Sequence, residues 1–543
     1  MIFARAAVGR AAVVVSVLVP LVAAAIGCRD GGASPATGKR LYRDGLLASG
    51  QPLTATVEDD VPVVGTQFSC VSCHLRSGMG SAEGQVGVPP VAGPMLYQAV
   101  EQPPHVRPAY TDATLARAIR DGIDAGGRRL DALMPRFRLS DQDVQALVAY
   151  LKTLSAQQDP GVTETVVRFA TVYTDDVDPQ ARDAMFAVLD TYVAERDAET
   201  RLETQRRRGE RPTPAVLANK GYRKWSLARW ALHGPPGTWD AQLERYYRDE
   251  PPFALLSGLG NGEWRPVHEF CEAHAIPCLL PNTDLPVVAD RDFYSLYFSK
   301  GLTLEAEALA DEVAKLPSPA RVVQVFHEGD GGAVGAQAFR TALAGHVGVT
   351  ITDVALPPHA AAADRLTAPA DGEDAAAVVL WLPGDQLAAL HEAGWRPGRA
   401  TVLLSSTVLG DDLGAVPPPL RQQSVVAHPF LLPADRSMAL RRVDAWLTSR
   451  RIKTPDTRIQ AQTYFACLVA GDALMHLKWL FFRDYLLDVI DHLPSSAVLP
   501  AYYPNVSFGP GQRYLAKGAY RLRLMGDGER PSIETASWVT LGR

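Results

Sequence analysis

Beyond about residue 158, short apolar runs alternate with amphipathic stretches. Runs typical of buried strands occupy residues 166–173, 253–259, 276–280, 321–326, 347–354, 376–382 and 401–405. Segments with apolar residues at helical spacing separate most of them, at residues 180–196, 263–275, 303–316, 335–346 and 385–393. This order predicts parallel sheets built from strand–helix–strand units, and the length accommodates two such sheets.

The region before residue 158 has a different, helical pattern. Apolar residues recur at i, i+3, i+4 and i+7 between positions 144 and 151, as in an amphipathic helix. Ser140 and Asp143 supply a hydroxyl and a carboxylate that favour a helix start just before that stripe. The change of pattern predicts a helical domain over residues 39–157 and an α/β domain over residues 158–543.

Residues 197–250 interrupt the rhythm of the α/β domain. This stretch mixes an arginine run with Trp225, Trp230 and Trp239. We interpret it as an insertion whose tryptophans pack it onto the domain.

Composition excludes several classes of protein. Of the 543 residues, 47% are hydrophobic and 21% are charged, which is ordinary for globular domains and argues against disorder throughout or many membrane spans. The net charge of −6 gives no support for a nucleic-acid partner.

The N-terminal residues have the pattern of an export signal. Arg5 and Arg10 precede an apolar run over residues 11–26 that is short for a membrane span. Residues 1–27 are therefore predicted to be a signal peptide, and residues 28–38 a linker. Every version of this reading places the rest of the chain in the periplasm or otherwise outside the cytoplasm.

Cys28 follows Ala-Ile-Gly, which resembles the processing site of bacterial lipoproteins. The resemblance implies that Cys28 is lipidated and attaches the chain to a membrane. Ordinary cleavage near Ala23 and Ala25, or a retained anchor helix, are the alternatives.

The strongest chemical signal is Cys70-Val71-Ser72-Cys73-His74. Two thiols three positions apart can meet a porphyrin edge from one helical turn, while the next residue, His74, reaches the iron. Chance gives this pattern only about 0.001 times in a chain of this composition. The sequence predicts one covalently attached haem c, held by Cys70 and Cys73 with His74 as an iron ligand. The alternatives are a Cys-x-x-Cys redox pair or half of a zinc site.

Residues 36–157 resemble a class I c-type cytochrome. Gly38 to Gly45 (GKRLYRDG), the haem motif and residues 134–140 (MPRFRLS) carry the resemblance. It implies an all-α domain whose first and last helices cross near Tyr42 and Tyr150.

The same resemblance assigns Met134 as the second iron ligand. Met134 lies sixty positions after His74 and precedes Pro135, which disfavours helical geometry there. Met79, Met95 and His105 are weaker candidates.

A His/Met pair favours ferrous iron and fills both axial positions. Such a site transfers electrons without binding substrate. This argues against peroxidase-type catalysis and makes an enzymatic function the less favoured interpretation.

A backbone carbonyl from residues 86–94 is expected to accept the other ring proton of His74. Four arginines near Met134 form either a positive rim for an acidic redox partner or an ordinary solvated surface: Arg128, Arg129, Arg136 and Arg138.

The α/β domain resembles the type I periplasmic solute-binding proteins of ABC transporters. Residues 167–173, 254–260, 276–281 and 294–299 carry this resemblance. It implies two lobes around a hinged cleft for a small-molecule ligand. The expected fold class is therefore multidomain, an all-α cytochrome c domain followed by a two-lobed α/β domain.

Polar residues after the strands are the candidates for the cleft. In the first lobe they are Ser257, Asn261, Asn282, Thr283 and Asp284, and in the second His327, Glu328 and Asp330. Ordinary turn chemistry is the alternative for each of them.

Cys271 and Cys278 are seven positions apart across a predicted helix-to-strand turn, which indicates a disulfide, with two buried thiols as the alternative. Cys467, within a helical apolar pattern, is expected in the core.

These features together predict an extracytoplasmic mono-haem electron carrier. Its solute-binding-like module would dock it to, or tune it for, a dehydrogenase or oxidase as redox partner. The alternative is a small-molecule receptor or sensor in which the haem is secondary.

Overall fold

The computed structural model describes residues 34–58, 60–83, 86–101, 106–208, 223–289, 291–366, 375–494 and 501–541. The predicted signal peptide, Cys28 and His105 lie outside the described residues. The chain forms two compact units, of which the first comprises residues up to 70 with 98–152, and the second comprises 71–97 with 153 to the end. Residues 71–97, which the sequence pattern assigned to the first domain, are therefore part of the second unit.

The helices, in chain order, are α1 (Pro35–Asp44), α2 (Cys70–His74), α3 (Gly93–Leu96), α4 (Asp112–Asp121), α5 (Asp141–Thr153), α6 (Pro179–Arg208), α7 (Trp239–Asp249), α8 (Arg265–Ala273), α9 (Leu302–Val313), α10 (Gly331–Leu343), α11 (Ala362–Arg365), α12 (Gly384–Glu392), α13 (Pro418–Arg421), α14 (Pro433–Ala439), α15 (Arg441–Ser449), α16 (Thr457–Leu477) and α17 (Arg483–Asp491).

The strands are β1 (Thr54–Val57), β2 (Val61–Val64), β3 (Ala82–Glu83), β4 (Val86–Gly87), β5 (Arg136–Phe137), β6 (Val166–Thr174), β7 (Lys224–Leu232), β8 (Ala254–Leu256), β9 (Leu259–Gly260), β10 (Cys278–Leu279), β11 (Asn282–Thr283), β12 (Ser295–Leu296), β13 (Ala320–His327), β14 (Val349–Leu356), β15 (Ala377–Trp381), β16 (Thr401–Ser405), β17 (Ser424–His428), β18 (Gly518–Met525) and β19 (Ser532–Thr540).

In the first unit, α1 packs against α5. The rings of Tyr42 and Tyr150 lie 5.4 Å apart at this crossing, as the resemblance implied. Gly38 permits the close approach, because a Cβ built there would lie 2.0 Å from the carbonyl oxygen of Ala146. Ser140 caps α5, since its Oγ accepts from the backbone N–H of Asp143 at 3.2 Å.

The first unit also contains a small antiparallel sheet, so the all-α expectation needs correction. Its strand order is β2-β1-β5. Residues 54–57 and 61–64 are rich in Val and Thr, which favour extended backbone, and they pair in register from Thr54–Val64 to Val57–Val61. The pairing of β1 with β5 joins this hairpin to the chain segment that precedes α5.

The second unit contains the two predicted sheets. The first is wholly parallel, with order β11-β9-β6-β8-β10-β12 and β7 beside β6. The second has order β14-β13-β15-β16-β17-β18-β19, in which the first five strands are parallel and β18 runs antiparallel to both of its neighbours, β17 and β19. Each of the seven predicted apolar runs contains a strand or most of one.

The segment interpreted as an insertion belongs to the first sheet. Strand β7 pairs with β6 over nine consecutive residues, and α7 follows it. Trp225, Trp230 and Leu232 are buried positions of β7. Lys224, Ser226 and Arg229 interrupt the apolar pattern, which is why this strand was not predicted.

The cores define two lobes within the second unit. One core joins residues 167–298 with residues 430–516, and the other joins residues 306–427 with residues 519–524. The chain therefore passes between the lobes three times, near residues 300, 429 and 517. This topology confirms the two-lobed expectation.

The predicted disulfide is not formed. Cys271 on α8 and Cys278 on β10 are both buried thiols, and their side chains are hydrogen-bonded to each other. Burial raises the pKa of Cys271 well above its ordinary value, which keeps the thiol protonated. Cys467 is buried in the core on α16, as expected.

Within the described ranges, no helix combines the length and apolar composition needed to cross a membrane.

The close crossing of α1 and α5 generates a stability prediction. Gly38→Ala should lower the free energy of unfolding of the first unit by about 1–3 kcal/mol, because the new methyl group overlaps the Ala146 carbonyl. Urea unfolding measured by circular dichroism checks this. Gly237→Ala is the control, since a Cβ there meets nothing within 4 Å. Equal stability of the two variants would contradict the prediction.

Candidate functional site

The haem motif forms the short helix α2. Cys70 and Cys73, three positions apart, lie on neighbouring positions of one helical turn and are half-buried. His74 is the last residue of this helix and is buried. Leu75 then adopts a left-handed conformation, with φ of 64°, which ends the helix directly after the imidazole.

The imidazole of His74 is oriented by a backbone carbonyl. Its Nδ1 lies 3.0 Å from the carbonyl oxygen of Pro89, within the loop predicted to supply this acceptor. Burial lowers the pKa of His74, so that the neutral ring is favoured. A neutral ring that donates through Nδ1 keeps the lone pair of Nε2 for a metal.

The loop that carries Pro89 is itself fixed by backbone hydrogen bonds. The N–H groups of Val91 and Ala92 donate to the carbonyl of Gly78 at 2.7 and 3.1 Å. The N–H of Gly80 donates to the His74 carbonyl at 3.1 Å. The position of the Pro89 oxygen therefore depends on the turn that follows His74.

Met134 lies in the first unit and is half-buried. Its backbone N–H donates to the carbonyl of Asp131 at 3.1 Å, and its own carbonyl accepts from the guanidinium of Arg136. Arg136 also donates to the Leu130 carbonyl at 3.1 Å. Arg136 thus holds the segment that contains the Met134 side chain.

Part of the predicted positive rim is engaged internally. Arg128 donates from Nε to the carboxylate of Asp124 at 3.0 Å, and Arg136 binds the backbone as described. These two arginines have structural roles that their sequence positions did not indicate.

The residues present fit a haem c. Two thiols on one turn of α2 and an imidazole with Nδ1 engaged by a carbonyl form the donor set that such a group requires. Over the described ranges, no three His, Cys, Asp or Glu side chains are grouped to hold a metal ion.

A small cleft of about 30 Å³ lies at the carboxyl ends of the strands of the first lobe. Its lining includes Asn261, Asn282, Thr283 and Asp284, all predicted for the cleft. Ser257 does not line it. The Ser257 side chain is 1% exposed, and its Oγ accepts from Nδ2 of Asn282 at 3.0 Å, so it supports the cleft from below.

The candidates of the second lobe are not among the lining residues. His327 is buried, with Nδ1 3.1 Å from the carbonyl of Pro357. Asp330 caps α10 by accepting from the N–H of Ala333 at 3.2 Å. Glu328 is exposed. The side chain of Asp330 therefore has the helix-capping role that was the alternative to ligand binding.

Sequence reasoning missed the main charged partner in the cleft. Arg458, at the start of α16, makes a two-pronged ion pair with Asp284, in which each N–O distance is 3.2 Å. Burial by itself would lower the pKa of Arg458, but the charge of Asp284 raises it above its ordinary value. Asp456 before the helix signals an N-cap, yet nothing local signals a pair 174 positions apart.

Asn282 presents an unused acceptor. Its side chain is 5% exposed, and its Oδ1 has no hydrogen-bond partner among the described residues. A buried amide oxygen without a donor is unfavourable, so Asn282 leaves an unmet hydrogen bond among the residues that line the cleft.

The chain can be compared with protein families, with curated proteins and with solved structures. Residues 62–155 match the cytochrome c family model. The match contains Cys70, Cys73, His74 and Met134, and a cytochrome c segment implies haem c as cofactor. No curated protein matches the chain.

Solved structures similar to the chain are substrate-binding proteins of ABC transporters. A fatty acid ABC transporter substrate-binding protein from Thermomonospora curvata is 16% identical, with 70% of this chain and 94% of that chain covered and a TM-score of 0.43. A branched chain amino acid ABC transporter structure from Thermus thermophilus with bound valine is 13% identical, covers 69% and 97%, and has a TM-score of 0.49. A leucine binding protein from Thermotoga maritima is 13% identical, covers 68% and 98%, and has a TM-score of 0.47.

Glu305, the buried acid of α9, generates a pH prediction. Its carboxylate accepts from Ser405 Oγ at 2.7 Å, and burial raises its pKa to about 7 from 4.5. The stability associated with protonated Glu305 is fully present below pH 4.5 and is lost as pH rises through 7. At pH 8, Glu305→Gln should therefore increase the free energy of unfolding by up to about 3 kcal/mol and raise Tm relative to the wild type. At pH 5 the difference in Tm should be smaller.

Thermal unfolding at both pH values checks this. The matched control is Glu328→Gln, which changes an exposed acid in the same lobe. If the two variants show the same pH dependence of Tm, the prediction fails.

Proposed function

We propose that this chain is an extracytoplasmic electron carrier with one covalently attached haem c. Its two-lobed unit docks it to, or tunes it for, a redox partner such as a dehydrogenase or oxidase. The observation that carries the proposal is α2, a five-residue helix that holds two cysteines and ends on a buried, carbonyl-oriented His74.

When bound, haem c supplies reversible one-electron chemistry. Cys70 and Cys73 would tether it covalently, and His74 would bind the iron through Nε2 while its Nδ1–H donates to the Pro89 carbonyl. Met134 is proposed as the second protein ligand of the iron. Two protein ligands would leave no place for a substrate at the metal, which supports electron transfer over catalysis.

The export signal pattern and the type of haem attachment both support a location outside the cytoplasm. Lipidation of Cys28 would hold the carrier at a membrane surface, which restricts the search for its redox partner to two dimensions.

The cleft supports a role for the second unit in recognising a small polar molecule. Arg458 and Asp284 line it and offer a charge pair that a ligand with matching groups could separate. Binding there would be a means of tuning the carrier rather than its main chemistry.

Covalent attachment is the first test. Haem should remain with the purified wild-type polypeptide after denaturation and gel electrophoresis, and the reduced protein should show a low-spin spectrum. The Cys70→Ser/Cys73→Ser double variant should lose this retained haem, because no thioether can form. A wild-type protein whose haem is released on denaturation would refute the proposal.

The assignment of Met134 is tested by comparison with another methionine. Met134→Ala should lower the midpoint potential and open the iron to added imidazole, because the thioether favours ferrous iron and occupies the sixth position. Equilibrium redox titration and absorption spectra measure both effects.

Met95→Ala is the matched control, since Met95 lies on α3 and is also half-buried. Its potential should equal that of the wild type. If only Met95→Ala changed the potential, Met95 rather than Met134 would be assigned as the iron ligand.

A further inference from the structure

A buried carboxylate on α17 holds the turn that follows the haem motif. Oδ2 of Asp488 accepts from the backbone N–H of Ser77 at 2.8 Å, and Oδ1 accepts from that of Arg76 at 3.4 Å. Asp488 is 5% exposed. All three residues belong to the second unit. Hydrogen bonds from two successive amides to a carboxylate are charge-assisted and fix the direction of the backbone.

The side chain of Arg76 is held by the same helix. Its Nε lies 3.7 Å from a carboxylate oxygen of Asp484, and its guanidinium lies 3.9 Å from the ring centroid of Phe293. Asp484 in turn accepts from the hydroxyl of Tyr294 at 2.6 Å. Both the backbone and the side chain at position 76 are therefore fixed by residues far away in the sequence.

The turn requires such support. Leu75 and Gly78 have φ of 64° and 73°, and a left-handed conformation costs a residue such as leucine about 1–2 kcal/mol. Ser155 Oγ donates to the Ser77 carbonyl at 2.7 Å and secures the other side of the same peptide segment. Ser77 is thus held through its N–H by Asp488 and through its carbonyl by Ser155.

The turn determines where the acceptor of the His74 ring lies. The carbonyl of Gly78, the residue after Ser77, accepts from Val91 and Ala92, and this pairing places the loop that contains Pro89. The Pro89 carbonyl then accepts from Nδ1 of His74. A short series of hydrogen bonds therefore leads from Asp488 to the imidazole.

Helix α17 is itself anchored to the first sheet. The guanidinium of Arg483 donates to the carbonyls of Pro252 and Phe253 at 2.6 and 3.0 Å, just before β8 begins. The N–H of Arg483 donates to Asp159 at 2.6 Å. The carboxylate of Asp488 consequently extends from a rigid support.

We propose that Asp488 is a positioning residue for the haem ligand His74, through which the two-lobed unit sets the haem potential. This inference rests on the proposed electron-carrier function and names the residue that does the tuning. Without the carboxylate, the turn loosens, the Pro89 carbonyl moves from Nδ1, and the imidazole donates less electron density to iron. The weaker donation and the loss of a negative charge both disfavour ferric iron, so the potential rises.

The test compares two isosteric variants of the full-length holoprotein, Asp488→Asn and Asp491→Asn. Asp491 lies on the same helix and is buried, but it pairs with Arg513 and makes no hydrogen bond to the described residues between 71 and 97. Both variants remove one buried charge from α17. The midpoint potential is measured at pH 8, where Asp488 is ionised even though burial raises its pKa to about 6. Hydrogen exchange of the Arg76 and Ser77 amides is measured on the same samples.

Asp488→Asn should raise the potential and speed exchange at both amides. Asp491→Asn should lower Tm, leave these exchange rates at wild-type values and raise the potential less than Asp488→Asn does, because it removes a buried charge without releasing the turn. Ser155→Ala, which removes the hydrogen bond to the Ser77 carbonyl, is a milder second variant and should shift the potential in the same direction by a smaller amount.

Equal potentials and equal exchange rates in the Asp488→Asn and Asp491→Asn variants would overturn the inference while leaving the electron carrier intact. A wild-type protein without redox-active haem would instead refute the proposed function. In that case faster exchange confined to Arg76 and Ser77 would still support the turn-holding role of Asp488, and unchanged exchange would exclude it.

Discussion

The hydrogen bond between Nδ1 of His74 and the carbonyl of Pro89 is the constraint on which the haem site depends. It selects the tautomer of the imidazole, directs Nε2 and strengthens the ring as a donor. A loop oxygen can do this only if the loop is stationary. The pairing of Gly78 with Val91 and Ala92 provides that, and the carboxylate of Asp488 holds the turn on which the pairing is built.

The second unit contributes rigidity where the haem motif needs it and a cleft elsewhere. Arg483 joins α17 to the edge of the first sheet where β8 begins, whereas the cleft with Arg458 and Asp284 lies at the carboxyl ends of the strands of the same lobe. Parallel strands place their two ends at opposite edges of a sheet. One lobe can therefore support a fixed contact at one edge and ligand recognition at the other.

Local patterns were sufficient for most of the fold and for part of the site. The apolar runs identified β6, β8, β10 and β13 to β16, and the spacing of Cys70, Cys73 and His74 indicated the short helical turn at α2, because both depend on neighbours in sequence. Strand β7 was missed since its polar residues conceal its alternation. In the first unit, β5 has only two residues and gives no pattern, and the β1–β2 hairpin was missed because the resemblance implied an all-α domain. Arg458 and Asp488 escaped prediction because each acts on a partner at least 174 positions away, which no window of sequence contains.

Residues 71–97 belong to the second unit although the segments on both sides of them belong to the first. The two units are thus interleaved along the chain, and no single cut separates them. A truncation at any single point of the chain would therefore leave at least one unit incomplete.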